Sequence, residues 1–221
     1  MIITIDGPSA SGKSSLAKLM AQKLGLIHLN SGLLFRAVAY ILITYFDYNE
    51  ETLIYVTKED IDKIFSRDFD YISDDGKGRI IYDNRDLTPF LKSSQIDQGA
   101  SLVSTVPYVR ETLLKFQRDF AKTNFLVADG RDLGSVVFPD ANFKIYLTAF
   151  PEVRAERWRQ AQLEKGKKYT QEQALQEITV RDNRDKERSV APLVIPKDAI
   201  VIDNSNMSLE DTLSQVMKQL F

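Results

Sequence analysis

Gly7-Pro8-Ser9-Ala10-Ser11-Gly12-Lys13-Ser14 is the stretch on which the fold turns. It matches G-x-x-x-x-G-K-[ST], and its flanks supply the context that the pattern needs. Before it, Ile2–Asp6 is a short β-branched run; after it, Leu16, Leu19, Met20 and Leu24 recur at helical spacing until Gly25. Strand, loop and helix in that order put successive backbone N–H groups and a helix N-terminus around one anion. Gly7, Pro8, Ser9, Ala10, Ser11, Gly12, Lys13, Ser14 and Ser15 are therefore the candidate triphosphate cradle. Lys13 places a point charge on the β- and γ-phosphates, Ser14 offers a hydroxyl to Mg²⁺, and Ser15 can reach the α-phosphate.

Working outward, Leu26–Leu29 reads as a second strand, and Asn30-Ser31 caps a helix through about residue 46 with Leu34, Val38, Ile41 and Leu42 on one face. Pro107 opens a helix carrying Val109, Leu113, Phe116 and Phe120. Phe125–Ala128, Lys144–Thr148 and Ala199–Ile202 complete five strands, and Ser208-x-x-Asp211 caps a final helix. Alternation of strand and helix predicts a P-loop α/β fold, a three-layer α/β/α arrangement on a five-stranded parallel sheet. Residues 1–46, 96–150 and 191–221 form this core in a single domain spanning 1–221. Residues 47–95 read as an insertion: a helix near Lys58–Phe65, then Asp68–Ser73, a turn at Asp74-Asp75-Gly76-Lys77-Gly78, and Arg79–Asp83 as a small antiparallel hairpin. Residues 151–190 are densely charged and read as a mobile, exposed helical lid, with Thr170-x-x-Gln173 as a capping box.

The 221 residues hold 29 Lys+Arg against 31 Asp+Glu, a formal net charge of −2, which argues against a general nucleic-acid binder. Any bound anion must be met by a local cluster. There is no cysteine, and His28 is the single histidine, so disulfides, thiolate nucleophiles and His-rich metal sites are excluded. The N-terminus enters a strand pattern at once, without a signal-peptide layout, and the longest apolar run, Ala37–Phe46, falls far short of the roughly 18 residues that span a bilayer. A cytoplasmic protein with no membrane partner is expected.

The arginines narrow the class. Arg36 lies one turn into the second helix, Arg110 early in the Pro107 helix, and Arg131 just after a strand end. Arg154, Arg157 and Arg159 fall on one charged helix; Arg181, Arg184 and Arg188 fall on the next at i, i+3 and i+7. Passing a phosphoryl group between two anionic nucleotides requires charge neutralisation on both, which forked guanidiniums provide. A phosphate-monoester acceptor, with a second pKa near about 6, also needs no general base. Two other classes fit the loop: a small-metabolite kinase whose hydroxyl acceptor needs a base such as Asp129, and a nucleotide-gated binding module. Guanine-type signatures are offered only out of order, as Thr57-Lys58-Glu59-Asp60 and Asp75-Gly76-Lys77-Gly78.

Over nearly its full length the chain resembles bacterial cytidylate kinases of the nucleoside-monophosphate kinase superfamily. The resemblance is carried by Ile5–Ser9, Ser31–Arg36, Pro107–Arg110, Ala128-Asp129-Gly130-Arg131-Asp132-Leu133-Gly134, Val137–Ala141, and Arg181-Asp182-Asn183-Arg184-Asp185 continuing through Arg188–Leu193. It implies phosphoryl transfer from ATP, with Mg²⁺, to CMP or dCMP by a monomeric enzyme. Ser101, Arg110 and Asp185 would form the cytosine pocket, where a carboxylate suits the exocyclic amine and disfavours the carbonyl of uracil. Ser31, Arg36 and Arg131 would hold the acceptor phosphate, and Arg181 with Asp185 the ribose. Arg157 and Arg188 would close on the transferring group beside Lys13 and Arg131, with Asp129 near Mg²⁺. Asp132 is read as holding Arg131, and His28 is given no role. Two departures stand out: Asn30 replaces the family's usual aspartate, and Trp158 separates Arg157 from Arg159.

Overall fold

The structure is a computed structural model that describes residues 1–74 and 76–220. Five parallel strands form the central sheet: β1 (Ile2–Asp6), β2 (Ile27–Asn30), β6 (Leu126–Gly130), β7 (Phe143–Thr148) and β8 (Ile200–Asp203), in the order β2-β6-β1-β7-β8. Register aligns their carboxyl ends, with Asp6 opposite both Gly130 and Tyr146, and Asn30 opposite Asp129. In an open parallel sheet that edge is where loops and helix N-termini converge on a ligand.

Helices cover both faces. On one, α1 (Lys13–Leu24) and α8 (Leu209–Leu220) bury Leu16, Met20 and Val216 against Ile3, Ile5, Ile145 and Leu147. On the other, α2 (Ser31–Tyr45), α4 (Ser94–Val103) and α5 (Pro107–Lys122) pack on Leu29, Leu126 and Ala128. The anticipated caps are present: Asn30 Oδ1 accepts from Leu33 N at 2.9 Å, and Ser208 Oγ accepts from Asp211 N at 3.0 Å. Within α5, Val109 and Leu113 are buried while Phe116 is only partly so, and the fully covered partner is Gln117.

The insertion holds α3 (Lys58–Phe65) and an antiparallel sheet of β3 (Phe69–Asp74), β4 (Lys77–Tyr82) and the two-residue β5 (Arg85–Asp86). Of the expected turn, Asp75 lies outside the described residues. The third strand was not anticipated; Asp83 and Asn84, both at positive φ, make the tight turn into it. Ile61, Ile64, Phe69, Tyr71 and Ile80 share one apolar cluster with Leu34 and Val38 of α2, so the insertion extends the main core. α4, also not anticipated, is started by Ser93 Oγ accepting from Ile96 N.

Helices α6 (Pro151–Leu163) and α7 (Gln171–Glu187) pair through Ala155, Ala174 and Ile178. They are not a wholly exposed, free-standing lid. Arg154 and Asp182 are buried and ion-paired at 2.5 Å; Arg154 donates to Ser9 O at 3.0 Å, and Asp182 accepts from Ser9 N at 2.8 Å. The root of the helix pair is thereby locked to the phosphate loop.

Candidate active site

The loop after β1 takes its shape from close approach. Gly7 has φ +148°, and a Cβ there would lie 2.0 Å from Leu147 O on β7, so the first glycine is required by packing as well as by phosphate access. Gly12, φ +94°, turns the chain into α1. Asn204, buried at the end of β8, donates to Ser11 O at 3.1 Å and buttresses the loop, a role the sequence did not signal. Lys13 folds back onto Pro8 O at 2.5 Å and Ser11 Oγ at 3.2 Å.

A cleft of about 610 Å³ opens over this loop, lined by residues 9–15 together with Arg36, Asp129, Arg131, Arg157 and Arg181. A small cavity of about 60 Å³ adjoins it, lined by Ser31, Ser101, Arg110, Asp185 and Arg188. Arg131 and Arg181 are walls of both. Arg131 spans the junction: Nη2 donates to Ser9 Oγ of the loop at 3.2 Å, and Nε donates to Asp185 on α7 at 2.8 Å.

The cations are crowded. Burial and the Arg131 charge push the Lys13 ammonium well below its ordinary range, against the opposing pull of Asp129. Burial, then Arg131 and Arg36, bring Arg181 down to about 10; burial, then Arg110, bring Arg188 to about 10. Positive charges that depress one another form a site in want of an anion. Arg36 meets part of this excess by donating to Asp97 at 2.6 Å.

Ser14 Oγ donates to Asp129 Oδ2 at 2.6 Å, and Asn30 Nδ2 donates to Ser14 Oγ at 3.2 Å. Burial alone would raise the Asp129 carboxyl; hydrogen bonds from His28 and Ser14 and the Lys13 charge outweigh it and hold the group below the usual carboxylate range. A hydroxyl and an ionised carboxylate this close are hard oxygen donors of the kind Mg²⁺ takes alongside nucleotide phosphates, so the residues fit that ion. Among the described residues no group of three or more His, Cys, Asp or Glu could hold a metal alone.

Two sequence expectations need correction. Asp132 does not hold Arg131; it pairs with Arg110 and, at 3.3 Å, with Arg188, while Arg131 is held by Asp185. The cause is reach: Asp132 sits past the turn after β6, facing α5 and the end of α7. His28 is not idle, since its Nε2 lies 2.6 Å from Asp129 Oδ1. The arginines of α6 go to three different places: Arg154 is buried in the loop clamp, Arg157 donates to Asn204 at 3.0 Å within the cleft, and Arg159 pairs with Glu156 at the surface. In the small cavity the expected cytosine contacts are occupied internally: Ser101 Oγ accepts from Arg184 at 2.7 Å, Arg110 donates to Ser104 O, and Asp185 accepts from Arg131.

Comparison with known proteins agrees with this geometry. The cytidylate kinase family model matches residues 3–220. The cytidylate kinase of Thermodesulfovibrio yellowstonii is 38% identical over 219 residues, covering 99% of this chain and 97% of that protein. That of Pseudomonas syringae pv. tomato is 42% identical over 222 residues, covering 99% and 94%. A solved structure of an uncharacterized protein from Eubacterium ventriosum superposes with a TM-score of 0.56 at 13% identity, covering 100% of this chain and 98% of that one, a likeness of fold alone. The chain belongs to the cytidylate kinase family.

Proposed function

We propose that the chain transfers the γ-phosphoryl group of ATP to CMP or dCMP, giving ADP and CDP or dCDP. The observation that carries the reading is that Arg131 and Arg181 wall both the cleft over the phosphate loop and the adjoining small cavity. A donor triphosphate on the loop and an acceptor phosphate in the small cavity would meet at those guanidiniums.

The chemistry then needs positioning and charge more than proton transfer. Lys13 exchanges Pro8 O and Ser11 Oγ for the β- and γ-phosphates. Arg36 and Arg131, with the Ser31 hydroxyl, hold the acceptor phosphate, whose second pKa near about 6 leaves the attacking oxygen largely ionised. Arg181 and Asp185 address the ribose, Ser101, Arg110 and Asp185 the base, and Arg157 and Arg188 add positive charge at the reacting group. Ser14 and Asp129 are the residues that would hold Mg²⁺, which when bound neutralises phosphate oxygens. Residues 47–95 act as the monophosphate-binding insertion and 151–190 as the lid, anchored at its root by the Arg154–Asp182 pair. We further propose that the enzyme works as a monomer in the cytoplasm; among the described residues no helix is long and apolar enough to cross a membrane.

The test is ADP release from ATP–Mg²⁺ with CMP, dCMP, UMP, AMP or shikimate offered in turn. Turnover with CMP and dCMP well above the others is expected, and no CMP-dependent turnover overturns the reading.

A further inference from the structure

β2 is an edge strand of the central sheet, so backbone groups on its outer side lack a neighbouring strand. The insertion supplies their partners. Tyr71 of β3 donates its hydroxyl to His28 O at 2.9 Å and accepts from Asn30 N at 3.0 Å. Beyond it, the His28 ring is buried at 5% exposure between two oxygens: Gly76 O of the β3–β4 turn, 3.4 Å from Nδ1, and Asp129 Oδ1, 2.6 Å from Nε2.

The consequence lies at Asp129. A carboxylate at a strand end can rotate about its last torsion, which is broad and two-fold. Here one oxygen is engaged by His28 and the other receives the Ser14 hydroxyl at 2.6 Å. Both Lys13 and Arg131 are close enough for Asp129 to act on their charge. Without His28, Oδ1 would be a buried oxygen in need of another donor. An Asp129 turned away from Ser14 would leave that hydroxyl as a lone oxygen donor for Mg²⁺. His28 opposes that turn by holding Oδ1 at 2.6 Å.

We propose that His28 is a positioning residue for the donor site: it holds the Asp129 carboxylate toward Ser14, while the insertion hairpin meets its ring through Gly76 O and its backbone carbonyl through the Tyr71 hydroxyl. The inference rests on the proposed use of Mg²⁺–ATP at the loop. Partners of this outer kind change metal affinity by about ten- to a hundred-fold when removed.

The experiment is titration calorimetry of ATP into the full chain, once with Mg²⁺ and once with EDTA, for wild type, His28→Leu and His28→Gln. For His28→Leu, affinity with Mg²⁺ is expected to fall at least about ten-fold while affinity in EDTA stays within about two-fold. His28→Gln, whose amide nitrogen reaches the position of Nε2, should recover most of the loss. Should His28→Leu not fold, His28→Asn, too short to reach Asp129, replaces it. Equal weakening in both media, no change in either, a glutamine variant no better than the apolar one, or a wild type whose ATP affinity ignores Mg²⁺ each overturns the proposal. The acceptor reading fails separately, in the CMP turnover assay, without altering these binding results.

Discussion

At the residue scale, the same side chain often serves two neighbours, and that is what single-residue motifs conceal. Asp185 is proposed as an acceptor for a cytosine amine because the block Arg181–Asp185 resembles that of cytidylate kinases. Its second duty, gripping Arg131 at 2.8 Å, depends on α7 crossing the end of β6 and has no local signature. Burial would raise its carboxyl, but the charges of Arg131, Arg181 and Arg188 dominate and keep it ionised. Asp185→Asn is therefore expected to do two things. The CMP/UMP preference should narrow about ten-fold, the size of a lost charged hydrogen bond, and kcat with CMP should also fall about ten-fold as Arg131 loosens. Steady-state kinetics with both acceptors check this. An unchanged ratio removes Asp185 from base recognition, and an unchanged kcat removes it from the support of Arg131.

At the element scale, strands, caps and the phosphate loop were legible because their signals are local: a β-branched run, a glycine at positive φ, a Thr170–Gln173 pair that bonds reciprocally at 2.8 and 3.2 Å. What α6 and α7 do with their charges was not. Arg154 and Arg159 are chemically identical, and only the direction in which each leaves the helix, about 100° per residue, sends one into the loop clamp and the other to Glu156 at the surface. The clamp is testable. Asp182→Ala leaves the buried Arg154 guanidinium without its carboxylate and Ser9 N without its acceptor, a defect of about 3–5 kcal/mol. Thermal melts should show Tm lowered by roughly 10 °C for a chain of this size. Arg154→Met with Asp182→Ala in one chain should cost less than the two separately, since no charge is then stranded. Strict additivity would show that the pair contributes nothing jointly.

At the scale of the whole molecule, the net charge of −2 concealed a positive centre, because composition averages over the surface that folding sorts. The carboxyl ends of the parallel strands gather Lys13, Arg131 and Arg181, and the same edge buries Asp6, whose oxygens accept from Leu133 N at 2.9 Å and Gly134 N at 2.7 Å. Burial raises the Asp6 carboxyl to about 6, against the lowering effect of those two amides. Since 6 lies above the ordinary 3.8, the folded state binds the proton more tightly than the unfolded chain, and this group's contribution is fully present below about 4 and lost as pH rises through 6. The amount is about 3 kcal/mol. Asp97, Asp129 and Asp185 are shifted the other way, so their contribution is lost only as pH falls below the ordinary carboxylate range. Urea unfolding between pH 4 and 7 should therefore show wild-type stability declining relative to Asp6→Asn, which keeps one acceptor but cannot titrate. The difference between the two proteins, taken pH by pH, isolates this carboxyl from every other group. A difference that stays flat across the window would mean that Asp6 is ionised throughout, held so by its two amide donors.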